Sequence, residues 1–447
     1  MARIDPEKFI QIEKTFGGNA ATGDLRTSTA SADAMAPFCG AAQTVAEAEN
    51  LAYERLADLA VKLPPEIRTR DISAYSTNNL TFALNNGLAM TPKGRLWASW
   101  ISGGDSCQSF TAASYSDDDG DTWSDTALVI DGHGMRPRTD NICGRTNIIG
   151  TFWLDPDGRF RLYTDQSLFH FDGRAGIWES VCEDPDAPVT KWSVPVRLGH
   201  GHVINKPIVL PSGHWAMSGY LNWAWGTLTG SRLGAFASLD GERGATCYVS
   251  TDHGCTWQKR GTAIFPGGDW QESQLLLLSN GRLRVFARVM DGVGKLMAAD
   301  SQDEGRTWTK PFALATMDHT NSRFQIQRLK SGNVLFVKHG LPAKGGKDGQ
   351  GRTMLTASLS SDEGLTWKGG LVLDSGIGSY PDACQGPDGM IYVTHDVDRG
   401  GKAEIRFHRF TEADVLAGRI VSPRGKLGIL VMKAMSSEVN RKKGKTK

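Results

Sequence analysis

The stretch Ser360–Trp367 reads Ser-Ser-Asp-Glu-Gly-Leu-Thr-Trp, and its pattern Ser-x-Asp-x-Gly-x-Thr-Trp occurs at three further places in the chain. These copies are Ser116–Trp123, Ser250–Trp257 and Ser301–Trp308. Four copies of one fixed pattern indicate a structural repeat. In each copy the Asp carboxylate can accept backbone N–H groups, and the Gly permits a positive φ. The pattern therefore predicts a turn that leads into a strand, with its Trp packed between neighbouring units.

A second repeat accompanies the first, because six short turns lie between pairs of apolar runs. Their central glycines are Gly94, Gly158, Gly213, Gly281, Gly332 and Gly389. By subtraction of residue numbers, consecutive turns are 64, 55, 68, 51 and 57 residues apart. Each turn is a β-hairpin signal, and hairpins at this period are typical of the blades of a β-propeller.

The sequence thus predicts an all-β fold, a six-bladed β-propeller of four-stranded blades. Four of the hairpins are followed by a copy of the repeated motif, and the second is followed by the degenerate stretch Pro185–Trp192. The sixth hairpin, near residues 380–410, has no copy, and we expect a strand from the N-terminal side of blade one to close it. A seven-bladed ring is the alternative, but it needs a blade in residues 5–80, where a predicted helix argues against it.

Two segments flank the predicted propeller, which spans residues 76–425. Residues 1–75 form an N-terminal extension with one amphipathic helix at about 44–63. Thr44 and Glu47 spell a capping box at its start, and Pro64 ends it. Residues 426–447 form a C-terminal segment with a basic tail.

Composition excludes several classes of function. The 447 residues carry a formal net charge of +1, which does not point to nucleic acid. No apolar run is long enough to span a membrane, and the seven cysteines show no zinc-ligand spacing. We therefore expect no cofactor and no metal ion. The first residues lack an apolar signal segment, which predicts a cytoplasmic protein, or a periplasmic or secreted one whose signal peptide was removed. The oligomeric state stays open.

Candidate functional residues follow from the predicted architecture. Ligands of a propeller meet at the mouth of the central channel, where the innermost strands converge. Polar residues at the ends of these strands, and in the loops beside them, are therefore the candidates. The first group is Asp105, Glu272, Arg288, Arg352 and Tyr380.

The repeated motif resembles the Asp box, or BNR repeat, of the sialidase (neuraminidase) superfamily, and the candidates resemble a sialidase site piece by piece. The resemblance implies that Tyr380 is a nucleophile assisted by Glu272, and that Asp105 is the acid/base. It also implies that Arg288 and Arg352 bind a substrate carboxylate. The function implied is an exo-acting glycoside hydrolase on a terminal acidic sugar of a glycan.

One departure from the sialidase pattern concerns the arginines. Sialidases have three, and the first lies in an Arg-Ile-Pro-like motif at the opening of blade one. Here that place reads Asn85-Asn86, without an arginine. The carboxylate clamp is therefore either incomplete or completed by an arginine from elsewhere, for which Arg323, Arg136 and Arg138 are the candidates.

A second group of candidate substrate contacts lies in loops near later blades. His202, Asn205 and Lys206 lead into blade three, and His339 ends a strand of blade five. His200 and His202 have a spacing seen among metal ligands, but no third ligand accompanies them. A substrate contact or a turn is therefore the preferred interpretation of this loop.

Three functions remain open from the sequence. The first is the sialidase-like hydrolase, acting on sialic acid or a related ulosonic or uronic acid. The second is a polysaccharide lyase on a uronic-acid glycan, which needs a histidine or tyrosine base; His339, His395 or His202 beside Arg288 would serve. The third is a non-catalytic carbohydrate-binding propeller. The arginines, together with a carboxylate and a phenol, favour an enzyme.

Overall fold

Six antiparallel β-sheets form the fold, which confirms the predicted all-β, six-bladed β-propeller. The computed structural model describes residues 54, 58, 62–106, 108–132, 145–168, 173–222, 236–266, 271–288, 294–318, 320–340 and 351–435. Residues 62–80 contain one two-residue strand and two short 3-10 helices, Ser73–Tyr75 and Thr77–Asn79, and no further blade.

The first three blades contain strands β1 to β14. In blade one these are β1 (Ile67–Arg68), β2 (Leu84–Met90), β3 (Leu96–Ser102), β4 (Phe110–Ser116) and β5 (Leu128–Ile130). In blade two they are β6 (Arg145–Thr146), β7 (Gly150–Leu154), β8 (Phe160–Leu168), β9 (Gly176–Cys182) and β10 (Val196–His200). In blade three they are β11 (Ile208–Val209), β12 (Trp215–Tyr220), β13 (Ala245–Ser250) and β14 (Gln258–Ala263), with a 3-10 helix at Ala237–Glu242.

The last three blades contain β15 to β26. Blade four has β15 (Gln274–Leu277), β16 (Leu283–Ala287), β17 (Lys295–Ser301) and β18 (Phe312–Asp318). Blade five has β19 (Gln325–Arg328), β20 (Val334–Lys338), β21 (Leu355–Ser360) and β22 (Lys368–Asp374). Blade six has β23 (Gly378–Gln385), β24 (Ile391–Val397), β25 (Glu404–Phe410) and β26 (Lys426–Lys433), and helix α1 (Glu412–Ala417) precedes its last strand.

The four main strands of each blade follow chain order from the axis outward, so the first strand of each hairpin is the innermost one. Two blades carry an additional two-residue strand. In blade one β1 pairs with the outer strand β5, and in blade two β6 pairs with β8 beside β7. The inner strands of blades one and six, β2 and β23, lie side by side, and an isolated parallel bridge joins Thr81 to Met435. These contacts close the ring.

The expectation that an N-terminal strand closes blade six is wrong. The outer strand of this blade is β26, which pairs with β25 and comes from the segment after residue 425. Helix α1 explains the difference, because it reverses the chain after β25. Thr411 and Asp414 form a capping box at its start, and Gly418, with φ 65°, ends it.

The predicted amphipathic helix at 44–63 lies mostly outside the described residues. Glu54, Asp58 and Lys62, which fall within it, have helical backbone. Asp58 forms an ion pair with Arg174, and Glu54 accepts a hydrogen bond from the Phe236 backbone at 2.5 Å. Throughout the part of the chain that the structure describes, every helix is too short or too polar to cross a bilayer.

The four copies of the repeated motif form the same turn. In the copy at 360–367, Asp362 Oδ1 accepts the Thr366 backbone N–H at 2.8 Å, and Oδ2 accepts the Thr366 hydroxyl at 2.5 Å. Ser360 Oγ accepts the Gly364 N–H at 2.8 Å. Gly364 has φ 84°, and the preceding Glu363 has φ 62°, so two consecutive residues adopt the left-handed conformation. The predicted turn chemistry is confirmed.

The motif tryptophans pack against the preceding blade, as the sequence predicted. Trp123 of blade one lies 5.4 Å from Phe407 of blade six, measured between ring centroids. Trp257 of blade three lies 6.3 Å from Tyr163 of blade two. Each turn therefore fixes its own blade and also contributes apolar contact to the interface with its neighbour.

Candidate active site

A pocket opens at the N-terminal ends of the inner strands, where all six blades contribute side chains. Its lining comprises Leu84, Ile101, Asp105, Ile148, Ile149, Ile204, Tyr220, Glu272, Arg288, Arg352, Tyr380 and Arg399. All five residues of the first candidate group are among them. The propeller therefore gathers side chains that are as far apart as residues 105 and 380 in the sequence.

Tyr380, Glu272 and Arg288 make direct contact at the base of this pocket. The Tyr380 hydroxyl donates a hydrogen bond to Glu272 Oε1 and accepts one from Arg288 Nη1 at 2.9 Å. Arg288 Nη1 also lies 2.9 Å from Glu272 Oε2. All three side chains are buried. The phenol proton thus points at a carboxylate whose negative charge is balanced by a guanidinium.

The backbone presents Tyr380 in an unusual conformation. Its φ is 55°, in the left-handed region that a residue with a bulky side chain rarely adopts. The pairing of β23 with β24 shifts register between Ser379 and Asp382, so a bulge carries this residue. Bulges redirect side chains next to functional sites, and strained backbone concentrates there.

Electrostatics keep the Tyr380 phenol protonated. Burial and the neighbouring Glu272 charge raise the pKa of Tyr380 to about 12, although three arginines oppose this shift. Burial alone would lower the pKa of Arg288, but Glu272 and Tyr380 raise it above its usual value. At neutral pH the pocket therefore holds a neutral phenol beside a permanently charged arginine.

Two further arginines flank the phenol ring. Arg352 donates to the Asn321 carbonyl at 3.0 Å, and its guanidinium carbon lies 6.0 Å from the Tyr380 ring centroid. Asn321 Oδ1 also accepts from Arg288 Nε at 2.6 Å, so one residue orients two arginines. The guanidinium carbon of Arg399 lies 4.2 Å from the same ring centroid. Burial, together with the charge of Arg399, lowers the pKa of Arg352.

Arg399 was not predicted from the sequence. It lies in the turn after β24, where Asp396 Oδ1 accepts from its Nε at 3.1 Å and Ser379 Oγ accepts from its Nη2 at 2.9 Å. Its carbonyl accepts the Ala83 N–H at 3.1 Å, which places it beside the start of β2. An arginine of blade six therefore lies beside the opening of blade one, where the sequence has Asn85 and Asn86 instead of the expected arginine.

Asn85 and Asn86, at the opening of blade one, do not line the pocket and instead donate hydrogen bonds to backbone carbonyls of neighbouring blades. Asn85 Nδ2 donates to the Tyr380 carbonyl at 2.8 Å, and Asn86 Nδ2 donates to the Ile148 carbonyl at 2.8 Å. They link blade one to its two neighbours. Arg136 and Arg138, the other candidates for a third arginine, lie outside the described residues.

Asp105 lies at the rim of the pocket. Its side chain is 49% exposed, and its Oδ2 lies 4.0 Å from Arg399 Nη1. Gly103 and Gly104, with φ of 83° and 123°, form the loop that carries it. A carboxyl group in this position can reach the part of a ligand that projects towards solvent.

Arg323, Asn205 and Lys206 do not line this pocket. Arg323 is fully buried, donates to Asn205 Oδ1 at 2.9 Å and lies 3.1 Å from Asp382 Oδ1. Lys206 Nζ donates to Asp382 Oδ2, and it also donates to the Ala383 carbonyl, which lies 3.0 Å away. Asp382 follows Tyr380 by two residues on β23, so this charged cluster lies deeper along the channel and connects inner strands.

His202 and His339 also lie outside the lining. His202 Nδ1 is 2.5 Å from Asp165 Oδ2, and both side chains are buried. His339 Nε2 donates to the Gly378 carbonyl at 2.7 Å, and burial lowers the pKa of His339 to about 3. Both histidines support strands next to the pocket.

The side of the pocket away from the arginines is apolar, and the sequence did not reveal it. Tyr220 and five aliphatic residues form it as one buried cluster that also includes Tyr380; the aliphatic members are Leu84, Ile101, Ile148, Ile149 and Ile204. Burial raises the pKa of Tyr220 well above its usual value. Apolar residues before an inner strand look like ordinary core in a sequence, so no local signal marks them as a pocket wall.

The architecture and this pocket define a propeller of the Asp-box class. Residues 94–393 match the model of the BNR repeat-like domain family, and the chain belongs to that family. A search of curated proteins finds no match to the sequence.

Solved structures with the same fold include sialidases. The Hadza microbial sialidase Hz136 superimposes with a TM-score of 0.53 at 18% identity, over 71% of this chain and 63% of that one. The intramolecular trans-sialidase from Ruminococcus gnavus, in complex with oseltamivir carboxylate, gives a TM-score of 0.55 at 14% identity, over 78% and 98%. This chain thus covers less than two thirds of the Hadza sialidase. At these identities the likeness shows a sialidase-like fold.

Proposed function

We propose that this protein is a retaining glycoside hydrolase that removes a terminal acidic sugar, sialic acid or a related ulosonic or uronic acid, from a glycan. The observation that carries the proposal is the Tyr380 hydroxyl, which donates to Glu272 and accepts from Arg288. A phenol is a weak nucleophile until a base takes its proton. Glu272 is in contact with that proton and can accept it as the bond to the sugar forms.

Substrate charge explains the use of a neutral nucleophile. Arg288, Arg352 and Arg399 surround the phenol and provide guanidinium groups that match a carboxylate. A sugar that carries its carboxylate at or near the reacting carbon would repel an anionic nucleophile, whereas a neutral Tyr380 approaches it without that penalty.

The proposed reaction has two displacements. Tyr380 Oη attacks the anomeric carbon while Glu272 takes the phenol proton, and Asp105 protonates the leaving oxygen. In the second step Asp105 takes a proton from water, the water oxygen attacks the anomeric carbon, and the bond to Tyr380 breaks with return of the proton from Glu272. The sugar leaves with its original anomeric configuration.

The lyase alternative has less support from the geometry. It needs a histidine or tyrosine base beside the arginines. The three histidines considered for that role, His202, His339 and His395, are not among the lining residues, and the Tyr380 hydroxyl donates to Glu272. His395 is fully buried, and its Nδ1 donates to the Asp396 carbonyl at 3.0 Å. The hydrolase is therefore the better supported of the two enzymatic functions.

The test is turnover of 4-methylumbelliferyl glycosides of N-acetylneuraminic acid and of glucuronic acid by the wild type and by Tyr380→Phe. We expect release of the fluorophore by the wild type and a loss of at least about a thousandfold in kcat for Tyr380→Phe. Tyr248→Phe is the matched control, since it removes the hydroxyl of another buried tyrosine, which donates to the His200 carbonyl at 2.9 Å.

Three results would contradict the proposal. They are full activity in Tyr380→Phe, an unsaturated product that absorbs in the ultraviolet, and binding of acidic sugars without turnover. The second result would indicate a lyase, and the third a carbohydrate-binding propeller.

A further inference from the structure

The apolar wall of the pocket depends on one buried carboxylate, that of Asp165. This residue lies on β8 of blade two, and its side chain is fully buried. It is not among the pocket-lining residues. A carboxylate in such a place is costly unless hydrogen bonds compensate its lost hydration, so its partners indicate what it does.

One oxygen of this carboxylate holds the loop that provides two wall residues. Asp165 Oδ1 accepts the backbone N–H of Ile148 at 2.7 Å and that of Ile149 at 2.9 Å. Both residues precede the inner strand β7, and both side chains line the pocket. The carboxylate therefore fixes the backbone position from which these two side chains enter the pocket.

The other oxygen connects to the wall residue of the next blade. Asp165 Oδ2 lies 2.5 Å from His202 Nδ1. His202 and Tyr220 exchange two backbone hydrogen bonds of 2.9 Å, and their ring centroids lie 5.1 Å apart. Tyr220 thus takes its position from His202, which is in turn oriented by Asp165.

We propose that Asp165 is a positioning residue for substrate binding, which acts through Ile148, Ile149 and the His202–Tyr220 pair on the wall opposite the arginines. The proposal rests on the function proposed above. The wall contacts parts of the substrate that do not react, so its displacement weakens ground-state and transition-state binding alike. Such a change raises KM and leaves kcat nearly unchanged.

The variant that tests this is Asp165→Asn, which keeps the shape of the side chain. A carboxamide has one accepting oxygen, so its NH2 group must face either the two isoleucine N–H groups, where donors meet, or His202 Nδ1, which can accept it only after the imidazole proton moves to Nε2. In neither arrangement are all the contacts of the carboxylate retained. We expect KM for the glycoside that the wild type hydrolyses to rise roughly tenfold to a hundredfold. We expect kcat to stay within about threefold of the wild type.

Asp155→Asn is a closely matched control. Asp155 is as buried as Asp165, on the same β7–β8 hairpin but at its other end. Its hydrogen bonds have a similar arrangement, with Oδ1 accepting the N–H groups of Asp157 and Arg159 at 3.0 and 2.8 Å, and Oδ2 accepting Arg161 Nε at 2.6 Å. A loss of stability affects both variants, whereas the increase in KM is expected for Asp165→Asn alone.

The two hypotheses fail in different ways. If the wild type hydrolyses none of the glycosides, the proposed function fails, and this inference fails with it. If the wild type is active but KM of Asp165→Asn stays within twofold of that of Asp155→Asn, the inference alone is wrong. A fall in kcat at unchanged KM would also overturn the inference, because that result is expected when a residue affects the reaction step and not substrate binding.

Discussion

The repeated turns, which join the two outer strands of a blade, and the pocket at the axis are built from opposite kinds of contact. In the turn at 250–257, Asp252 bonds to the Thr256 backbone and hydroxyl, four residues away. In the pocket, Tyr380 bonds to Glu272 across 108 residues of sequence and to Arg288 across 92. The turns therefore form from local sequence, while the pocket exists only when the whole ring has closed.

This difference predicts which substitutions change stability and which change function. A change in one turn removes a few local hydrogen bonds and lowers stability, and three other copies of the turn remain. A change in the pocket removes a contact that has no second copy, and it acts on function. The two predictions that follow test this division, one in each region.

In the pocket, Arg399→Ala is expected to lower kcat/KM by about tenfold to a hundredfold, because one charge-assisted hydrogen bond to a substrate carboxylate contributes about 1.5–3 kcal/mol. Burial lowers the pKa of Arg399, but Asp396, Tyr380 and Asp105 raise it by more, so it remains charged. Arg406→Ala is the control, since Arg406 pairs with Glu404 on the same blade at 2.8 Å. Steady-state kinetics with the glycoside that the wild type hydrolyses measure the effect.

An Arg399→Ala variant with wild-type kcat/KM would show that the arginine of blade six does not take the place of the arginine missing from blade one. The carboxylate clamp would then consist of Arg288 and Arg352 alone. A similar loss in Arg406→Ala would point to general destabilisation of the blade.

In the turns, Asp252→Asn is expected to lower the melting temperature by a few degrees and to leave kcat/KM within about twofold of the wild type. The Thr256 hydroxyl and backbone N–H lower the pKa of Asp252 to about 2, against about 3.9 in an unfolded chain. A lowered folded-state pKa stabilises the protein above the unfolded pKa, and this contribution disappears as the pH falls towards 2.

Calorimetry between pH 7 and pH 2 measures that contribution. The difference in melting temperature between wild type and Asp252→Asn should be largest at pH 7 and should decrease between about pH 4 and pH 2. Glu183→Gln, at an exposed position outside the turns, is the control. A difference in melting temperature that grows as the pH falls, or a loss of activity in Asp252→Asn, would contradict the idea that the turns act on stability and the pocket on function.

The same contrast explains how much of the fold could be predicted. The turn chemistry of Ser360–Trp367 and the six hairpins are short-range features, and the structure confirms both. The closure of blade six was predicted wrongly because β25 can pair with any strand that reaches it. The capping box at Thr411, which begins helix α1 and leads the chain back, is the local signal that could have indicated β26.

The candidate site was predictable only in part. Tyr380, Glu272, Arg288, Arg352 and Asp105 were selected by position and resemblance, and the structure brings them to one pocket, while their roles remain a prediction. Arg399 was missed because an arginine in a Gly-rich turn has no fixed direction until blades one and six meet. The wall residues were missed because buried isoleucines have the same pattern in a core and in a pocket.

The most direct test of the account is covalent trapping of the nucleophile. With a fluorinated glycosyl fluoride of N-acetylneuraminic acid, the nucleophile displaces the anomeric fluorine as fluoride ion and becomes bonded to the sugar, and the second fluorine slows release of that sugar. We expect mass spectrometry to find one sugar on the peptide that contains Tyr380 in the wild type, and none in Tyr380→Phe. Attachment to another side chain would contradict the account. So would steady turnover of the N-acetylneuraminic acid glycoside by an enzyme whose Tyr380 the trap leaves unmodified.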